Sequence, residues 1–257
     1  MSGHGIWVHA ISRGLPADRL AGIVGVGGAP VRPVEAAGLV AVVATVDLAE
    51  YGEEALRRNL ENLDWVTAVA RAHHLVADAV ARLGPVVPAR LATVHLDAPR
   101  VAALLTEQYD DLSAALDRVE GRIEWGVKAY AAPPPSVPAE PTGSGGGRAY
   151  LMRKRARMTA TETAERAAAA DADRLHAVLA GRSLESRRHP PQDGRLSGRP
   201  EWMVLNGAYL VDADRVDEFA DLVQELAPRH PGITVELTGP WPPYSFTAAD
   251  EREAVGR

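Results

Sequence analysis

The sequence predicts an α+β protein of two ferredoxin-like domains, each an antiparallel sheet covered by helices on one face. Three observations carry this. Across residues 122–238 the apolar period switches between two and 3.6 in the order β-α-β-β-α-β. Residues 5–94 follow almost the same order, with an added helical pattern at 98–119. A Pro/Gly-rich stretch at 131–147 comes directly after a strand pattern, so it interrupts the second domain and does not precede it. The expected division is 1–119 and 120–247, with an aromatic-proline tail at 239–246.

Ile6-Trp7-Val8-His9-Ala10-Ile11 lies in a first strand over 5–12, and residues 16–28 form an irregular or helical connection. Val31–Val34 and Leu39–Val46 read as a hairpin turning near Gly38, its second member rich in β-branched residues. A long helix is expected over 53–83, because Leu56, Leu60, Leu63, Val66, Ala70, His73, Val76, Val80 and Leu83 step by three or four. Gly84-Pro85 ends it. A strand over 86–94 follows, then Asp97 as N-cap and Pro99 in the first turn of a helix over 98–119. In the second half the strand 122–130 precedes the Pro/Gly stretch, and a helix over 149–181 stops at Gly181. A short extended piece at 183–190, a strand over 201–211, a helix led by Asp212 and a strand over 233–238 complete the set.

Composition limits the function classes. The net charge of −6 argues against a general nucleic-acid binder, which is normally basic. With no cysteine, disulfide scaffolds, thiolate zinc sites and cysteine nucleophiles are excluded. The longest apolar stretch, Leu39 to Val46, is far short of the roughly 20 residues of a membrane span. The start, Met1 to Gly5, has no signal-peptide pattern. A soluble cytoplasmic protein, free or attached to a cytoplasmic body, is expected.

No residue set specifies a reaction. His73 and His74 are adjacent on a helix and point apart, so they cannot share a metal as an i, i+4 pair can. His73 falls on the apolar stripe and reads as a packed, hydrogen-bonded histidine. His95 lies near a strand end, and Arg90, within an apolar strand, reads as paired with a carboxylate. Gly22–Gly28 does not fit a phosphate-cradling spacing and reads as a turn. Asn206 beside Gly207 is placed to pin a bulge or to bind a ligand. Arg153, Lys154, Arg155 and Arg157 crowd the first turns of a helix, where positive charge opposes the macrodipole. They face either solvent or an acidic surface, such as a partner or the acidic face of the 98–119 helix. No cofactor and no metal site is expected.

Near the end of the chain stands Gly239-Pro240-Trp241-Pro242-Pro243-Tyr244-Ser245-Phe246. Three prolines remove three backbone donors, so neither a helix nor a central strand can continue. Three aromatics concentrate here in a chain that is 5% aromatic, which suits a stiff docking segment. Together with the opening Ile6–Ile11 strand, the Pro85–Val94 segment, Ala149-Tyr150-Leu151 and Val204-Leu205-Asn206-Gly207-Ala208-Tyr209-Leu210-Val211, this tail resembles the gas vesicle protein F/L family over roughly residues 5–246. The 131–147 stretch is long for that family, and Gln192–Arg195 looks more loop-like.

The resemblance implies a minor, non-enzymatic accessory of the gas vesicle, within the cytoplasm. It implies binding to the small hydrophobic major shell protein, beside other gas vesicle accessory proteins, which limits shell-protein aggregation and helps nucleate the vesicle. No nucleic acid or membrane is implied. The expected partner-binding residues are Trp241, Tyr244 and Phe246, then Ile6, Trp7 and Val8, then Arg153, Arg155 and Arg157. Trp7 and Trp202 fit a buried core better than a contact. The alternative is a small-molecule-binding or enzymatic ferredoxin-like protein in which His73, His95 and Arg90 converge. An RNA binder is the third reading, opposed by the acidic balance and by the missing aromatic pattern in 201–211.

Overall fold

The computed structural model describes residues 3–131, 147–192 and 201–247. Most of the Pro/Gly stretch and most of the Gln192–Arg195 region lie outside these residues. The chain forms two compact units, Met1–Glu124 with Trp241–Arg257, and Trp125–Pro240. The sequence-based division at 119/120 counts the tail with the second half; in the structure Trp241 onward counts with the first.

In the first unit, β1 (His4–Arg13), β2 (Arg32–Ala36), β3 (Leu39–Asp47) and β4 (Val86–Pro88) form an antiparallel sheet in the order β2-β3-β1-β4, and β5 (Val94–His95) also pairs with β1. That is the ferredoxin-like order, reached with two short 3₁₀ turns at Ala17–Leu20 and Val26–Gly28 in place of the first crossover helix. The β2–β3 hairpin turns through Ala37 (φ 52°) and Gly38 (φ 80°), the paired positive φ values that match the twist of two-residue hairpins.

Between β3 and β4 run α1 (Leu48–Tyr51), α2 (Glu53–Asn59) and α3 (Leu63–Ala81). The single helix expected over 53–83 is therefore broken. Asn62 Oδ1 accepts from the backbone N–H groups of Asp64 (3.0 Å) and Trp65 (3.2 Å) and starts a new helix there. Leu60 and Leu63, placed on the stripe by periodicity, are exposed. The 98–119 helix is likewise two, α4 (Ala98–Glu107) and α5 (Tyr109–Val119), divided at Gln108 (φ −105°, ψ 22°). Asp97 caps α4 by accepting from Arg100 N–H, as its position predicts.

This sheet is covered on both faces, where helices on one face were expected. Ile6, Val8, Ile11, Ala41 and Val43 meet Val101, Leu105, Leu112 and Leu116 of α4 and α5. On the other face Ala10, Val42 and Ala44 meet Val76 and Val80 of α3, while Trp7 and Val46 pack with Tyr51 and Val69. Buried runs replace alternation, from Gly5 to Ser12 and from Leu39 to Ala44, as a doubly covered strand requires. The β1–β3 register shifts between Val8 and Ala10, so His9 is the extra residue of a bulge.

In the second unit, β6 (Arg122–Ala131), α6 (Gly147–Ala180), β7 (Glu185–Arg188), β8 (Trp202–Asp212), α7 (Val216–Leu226) and β9 (Ile233–Trp241) give the sheet order β7-β8-β6-β9, again ferredoxin-like. Both helices lie on one face: Ala168, Ala172, Leu175 and Leu179 of α6, with Phe219, Val223 and Leu226 of α7, close over Val127, Ala129, Leu205, Tyr209 and Val211. Asp212 makes no side-chain capping bond, so α7 starts through the 3₁₀ turn Ala213–Arg215. β9 runs through Pro240 because it is an edge strand, where a missing N–H costs no ladder bond.

Gly207 has a steric role. A Cβ there would lie 2.7–2.9 Å from Oη, Cε2 and Cζ of the buried Tyr209 ring, whose hydroxyl lies 2.8 Å from His176 Nδ1. No bulge interrupts the β7–β8 register here, and Asn206 Nδ2 donates to Pro190 O (3.1 Å), anchoring the end of β7. Gly207→Ala should destabilise by about 1–3 kcal/mol through overpacking. A urea midpoint unchanged from the wild type would contradict this contact.

Candidate functional site

Trp7 is fully buried on β1. Its indole Nε1–H donates to His73 Nδ1 on α3 (3.0 Å), and the other ring nitrogen, Nε2, lies 3.0 Å from Ala89 O. Accepting at Nδ1 and donating at Nε2 makes His73 a neutral imidazole with both nitrogens engaged. His9 stacks on it, with ring centroids 5.2 Å apart and planes 29° apart. Val26 N–H approaches His9 Nε2 at 3.4 Å, while His9 Nδ1 makes no hydrogen bond among the described residues.

Burial, and the neighbouring His73 ring, push the His9 imidazole pKa down to about 3; burial also lowers that of His73. An imidazole of ordinary pKa 6.5 in the unfolded chain takes up a proton that folded His9 refuses. Stability contributed by His9 is therefore complete above pH 6.5 and declines as pH falls toward 3. Between pH 6.5 and 5 this amounts to about 2 kcal/mol, from roughly 1.4 kcal/mol per pH unit. Urea unfolding at pH 7.5 and 5.0 should show this loss, and His9→Gln should reduce the pH difference.

The tail is built on a different flank of α3. Tyr244 N–H donates to Pro242 O (2.7 Å) and Phe246 N–H to Pro243 O (3.2 Å), folding Tyr244–Phe246 into a 3₁₀ turn. Phe246 is 0% exposed, and its carbonyl accepts from Arg118 Nη1 on α5 (3.4 Å). Glu124, buried at the start of β6, grips Ser245 with both carboxylate oxygens: Oε2 accepts from the backbone N–H (2.8 Å) and Oε1 from the hydroxyl (2.7 Å). Tyr244 Oη lies 3.4 Å from His74 Nδ1. Burial, then the charges of Asp78 and Glu124, push the Tyr244 phenol up to about 12, so it stays protonated at neutral pH.

Trp241 is 39% exposed and meets His74 edge-on, 5.2 Å between centroids. Leu63, Ala70 and His74, at i, i+7 and i+11, share one side of α3. Leu63 is 70% exposed, so this side is a strip with apolar ends, Leu63 at one and Trp241 beside His74 at the other, with the exposed Thr67 between them; Leu63 to His74 spans roughly 16 Å at 1.5 Å per residue.

Of the predicted partner-binding residues, Ile6, Trp7, Val8 and Phe246 are buried, Tyr244 is half-buried, and Trp241, Arg155 and Arg157 are exposed. The side chain of Arg153 lies outside the described residues. Trp202 is half-buried against the second core. Arg90 is in a turn closed by Thr93 Oγ1 and N–H donating to its carbonyl, not in a strand. His95 sits on β5, paired with Ile6. His74 and Glu124 hold the tail; from sequence His74 is weighed only as a metal ligand beside His73, and Glu124 is not singled out. A carboxylate within the alternating run Ile123-Glu124-Trp125 was the available signal for Glu124. Among the described residues no helix is long and apolar enough to cross a membrane.

Comparison with known proteins agrees with the fold and supplies the family. Crystal structures of gas vesicle protein GvpF are similar at 16% identity. That from Anabaena sp. PCC7120 gives a TM-score of 0.67, with 97% of this chain and 98% of that one covered. That from Microcystis aeruginosa gives 0.65, with 95% and 99% covered. Gas vesicle protein L of Streptomyces sp. (strain CB03234) is 40% identical over 252 residues, 96% of this chain and 94% of that protein. Gas vesicle protein F of the same strain is 28% identical over 189 residues, 68% and 75% of the two chains. The gas vesicle synthesis protein GvpL/GvpF family matches residues 5–248, and the chain belongs to that family.

Proposed function

We propose that this protein serves gas vesicle assembly as a non-catalytic accessory in the cytoplasm, binding the major shell protein, limiting its aggregation and assisting vesicle nucleation beside other accessory proteins. The observation that carries this is the similarity to gas vesicle protein L over nearly the full length of both chains. The higher identity to protein L than to protein F of one strain supports an L-type place in that assembly. A shell subunit with a gas-facing apolar surface exposes aggregation-prone strands before it assembles, and needs a partner that covers them.

Side-chain contact suits this partner better than strand addition. The outer edge of β2 is blunted: the two-residue turn makes Ala36–Leu39 a hydrogen-bonded pair, so Pro33, three residues back, falls at a position whose absent N–H would face outward. The edge strand β7 is four residues long and carries Glu185, Arg187 and Arg188. The strip from Leu63 to Trp241 offers apolar contacts at its two ends instead, with the buried Phe246 of the tail holding Trp241 in place. The alternative of catalysis loses its central group, because both nitrogens of His73 are engaged within the protein.

Co-expression tests this reading. The soluble fraction of the shell protein should rise with this chain. Capture of the shell protein should fall at least about tenfold when Trp241→Ala is combined with Leu63→Ser, while the double variant keeps the wild-type unfolding free energy within about 1 kcal/mol. A shell protein equally insoluble with and without the chain would sink the proposal.

A further inference from the structure

The first half of α6 lacks support from its own unit. From Leu151 to Ala167 every described side chain is exposed except the half-buried Thr161; packing begins at Ala168. At 1.5 Å per residue this is an arm of roughly 25 Å. Isolated helices of this length are marginal in water, and this one carries Lys154, Arg155 and Arg157 within four residues. Leu151, Met152 and Met158, all exposed, add apolar surface among these charges. The arm is thus basic with an apolar component, and a surface of the opposite character is present on the same chain. At the α4–α5 corner of the first unit, Tyr109 is exposed, flanked by the exposed carboxylates of Glu107, Asp110 and Asp111.

We propose that the arm of one copy docks on the α4–α5 corner of a second copy, with Lys154, Arg155 and Arg157 against Glu107, Asp110 and Asp111, and Met158 or Met152 against the Tyr109 ring. The occupant is a second copy because the complementary charge and the matching exposed aromatic both belong to this chain. The contact joins two unlike surfaces, so it is heterologous and propagates head to tail unless the rotation closes a ring. It uses a surface other than the Leu63–Trp241 strip, so its failure leaves the shell-protein reading standing, and the reverse.

Charge reversal in two complementary proteins tests it, read by analytical ultracentrifugation of the full chain. The wild type should associate reversibly, with affinity falling as salt rises. Arg155→Glu with Arg157→Glu should weaken association at least about tenfold, as should Asp110→Arg with Asp111→Arg. Mixing the two variants should restore association, because each then offers the surface that the other has kept. Unchanged circular dichroism in both variants separates lost docking from lost folding. A wild type that stays monomeric at about 100 μM, association that ignores both reversals, or a mixture no more associated than its components would overturn the proposal.

Discussion

Replacing Trp7 with alanine should lower the unfolding free energy by about 3–5 kcal/mol, a large share of the roughly 5–15 kcal/mol of a typical domain. Two effects add. The indole is fully buried among Tyr51, Val26, Val46 and Val69, edge-on to Tyr51 at 5.8 Å, so its loss leaves a cavity on the α3 face of the sheet. It also leaves His73 Nδ1 without its donor in a place no solvent reaches. Trp7→Phe keeps an aromatic ring at the site but removes the N–H together with two carbon atoms of the indole, so it shows both effects in smaller measure. That variant should cost about 1–3 kcal/mol. Guanidinium unfolding of the three proteins measures both values. If Trp7→Ala loses less than about 1 kcal/mol, the Trp7–His73–His9 cluster is not the packed core described here.

The same region shows what the sequence made legible. The β-α-β-β-α-β order of the second unit followed from apolar periodicity, because its helices cover one face of the sheet and alternation survives from Trp125 to Ala129 in β6 and from Trp202 to Gly207 in β8. The first unit was harder to read for a physical reason. β1 and β3 are covered on both faces, so their periodicity is erased and the side from which a helix packs leaves no mark on the strand. The unbroken apolar run of β3 did announce burial, but not the second helical layer. At Asn62 a cap signal was present within a stripe that continues through Leu60 and Leu63, and periodicity masked it; the break leaves Leu63 in solvent. Arg90 looked like a strand residue because it lies within the apolar pattern of 86–94, whereas the Thr93–Arg90 bonds close a turn. For the candidate site, the tail's stiffness and aromatic content pointed to docking. Its receptor did not show, because Glu124 and His74 lie 121 and 170 residues from the groups they hold.

Phe246→Ala should cost about 3–5 kcal/mol and release the tail. The ring is fully buried in the first unit and is the tail's largest buried side chain: Pro242 and Pro243 are buried beside it in sequence, Tyr244 is half-buried and Trp241 is exposed. Without the ring, the turn is held by the Glu124–Ser245 pair and the Arg118 contact. Charge-assisted hydrogen bonds of this kind contribute about 1.5–3 kcal/mol each, against a backbone ordering cost of roughly 1–2 kcal/mol per residue over seven residues from Trp241 to Thr247. On central values the hydrogen bonds alone fall short of that cost, so burial of Phe246, with Pro242 and Pro243, decides whether the segment stays docked. Glu124→Gln provides the graded control. It keeps one acceptor but loses the charge, and should weaken docking less than Phe246→Ala does. Limited proteolysis near residue 241 reports release directly, since a segment bound at both Ser245 and Phe246 resists cleavage and a freed one does not. The two tail aromatics should then differ in kind. Trp241→Ala should leave the midpoint nearly unchanged and impair shell-protein capture, whereas Phe246→Ala should impair capture only through loss of the docked Trp241. If Phe246→Ala is cleaved no faster than the wild type, the anchor is assigned to the wrong residue.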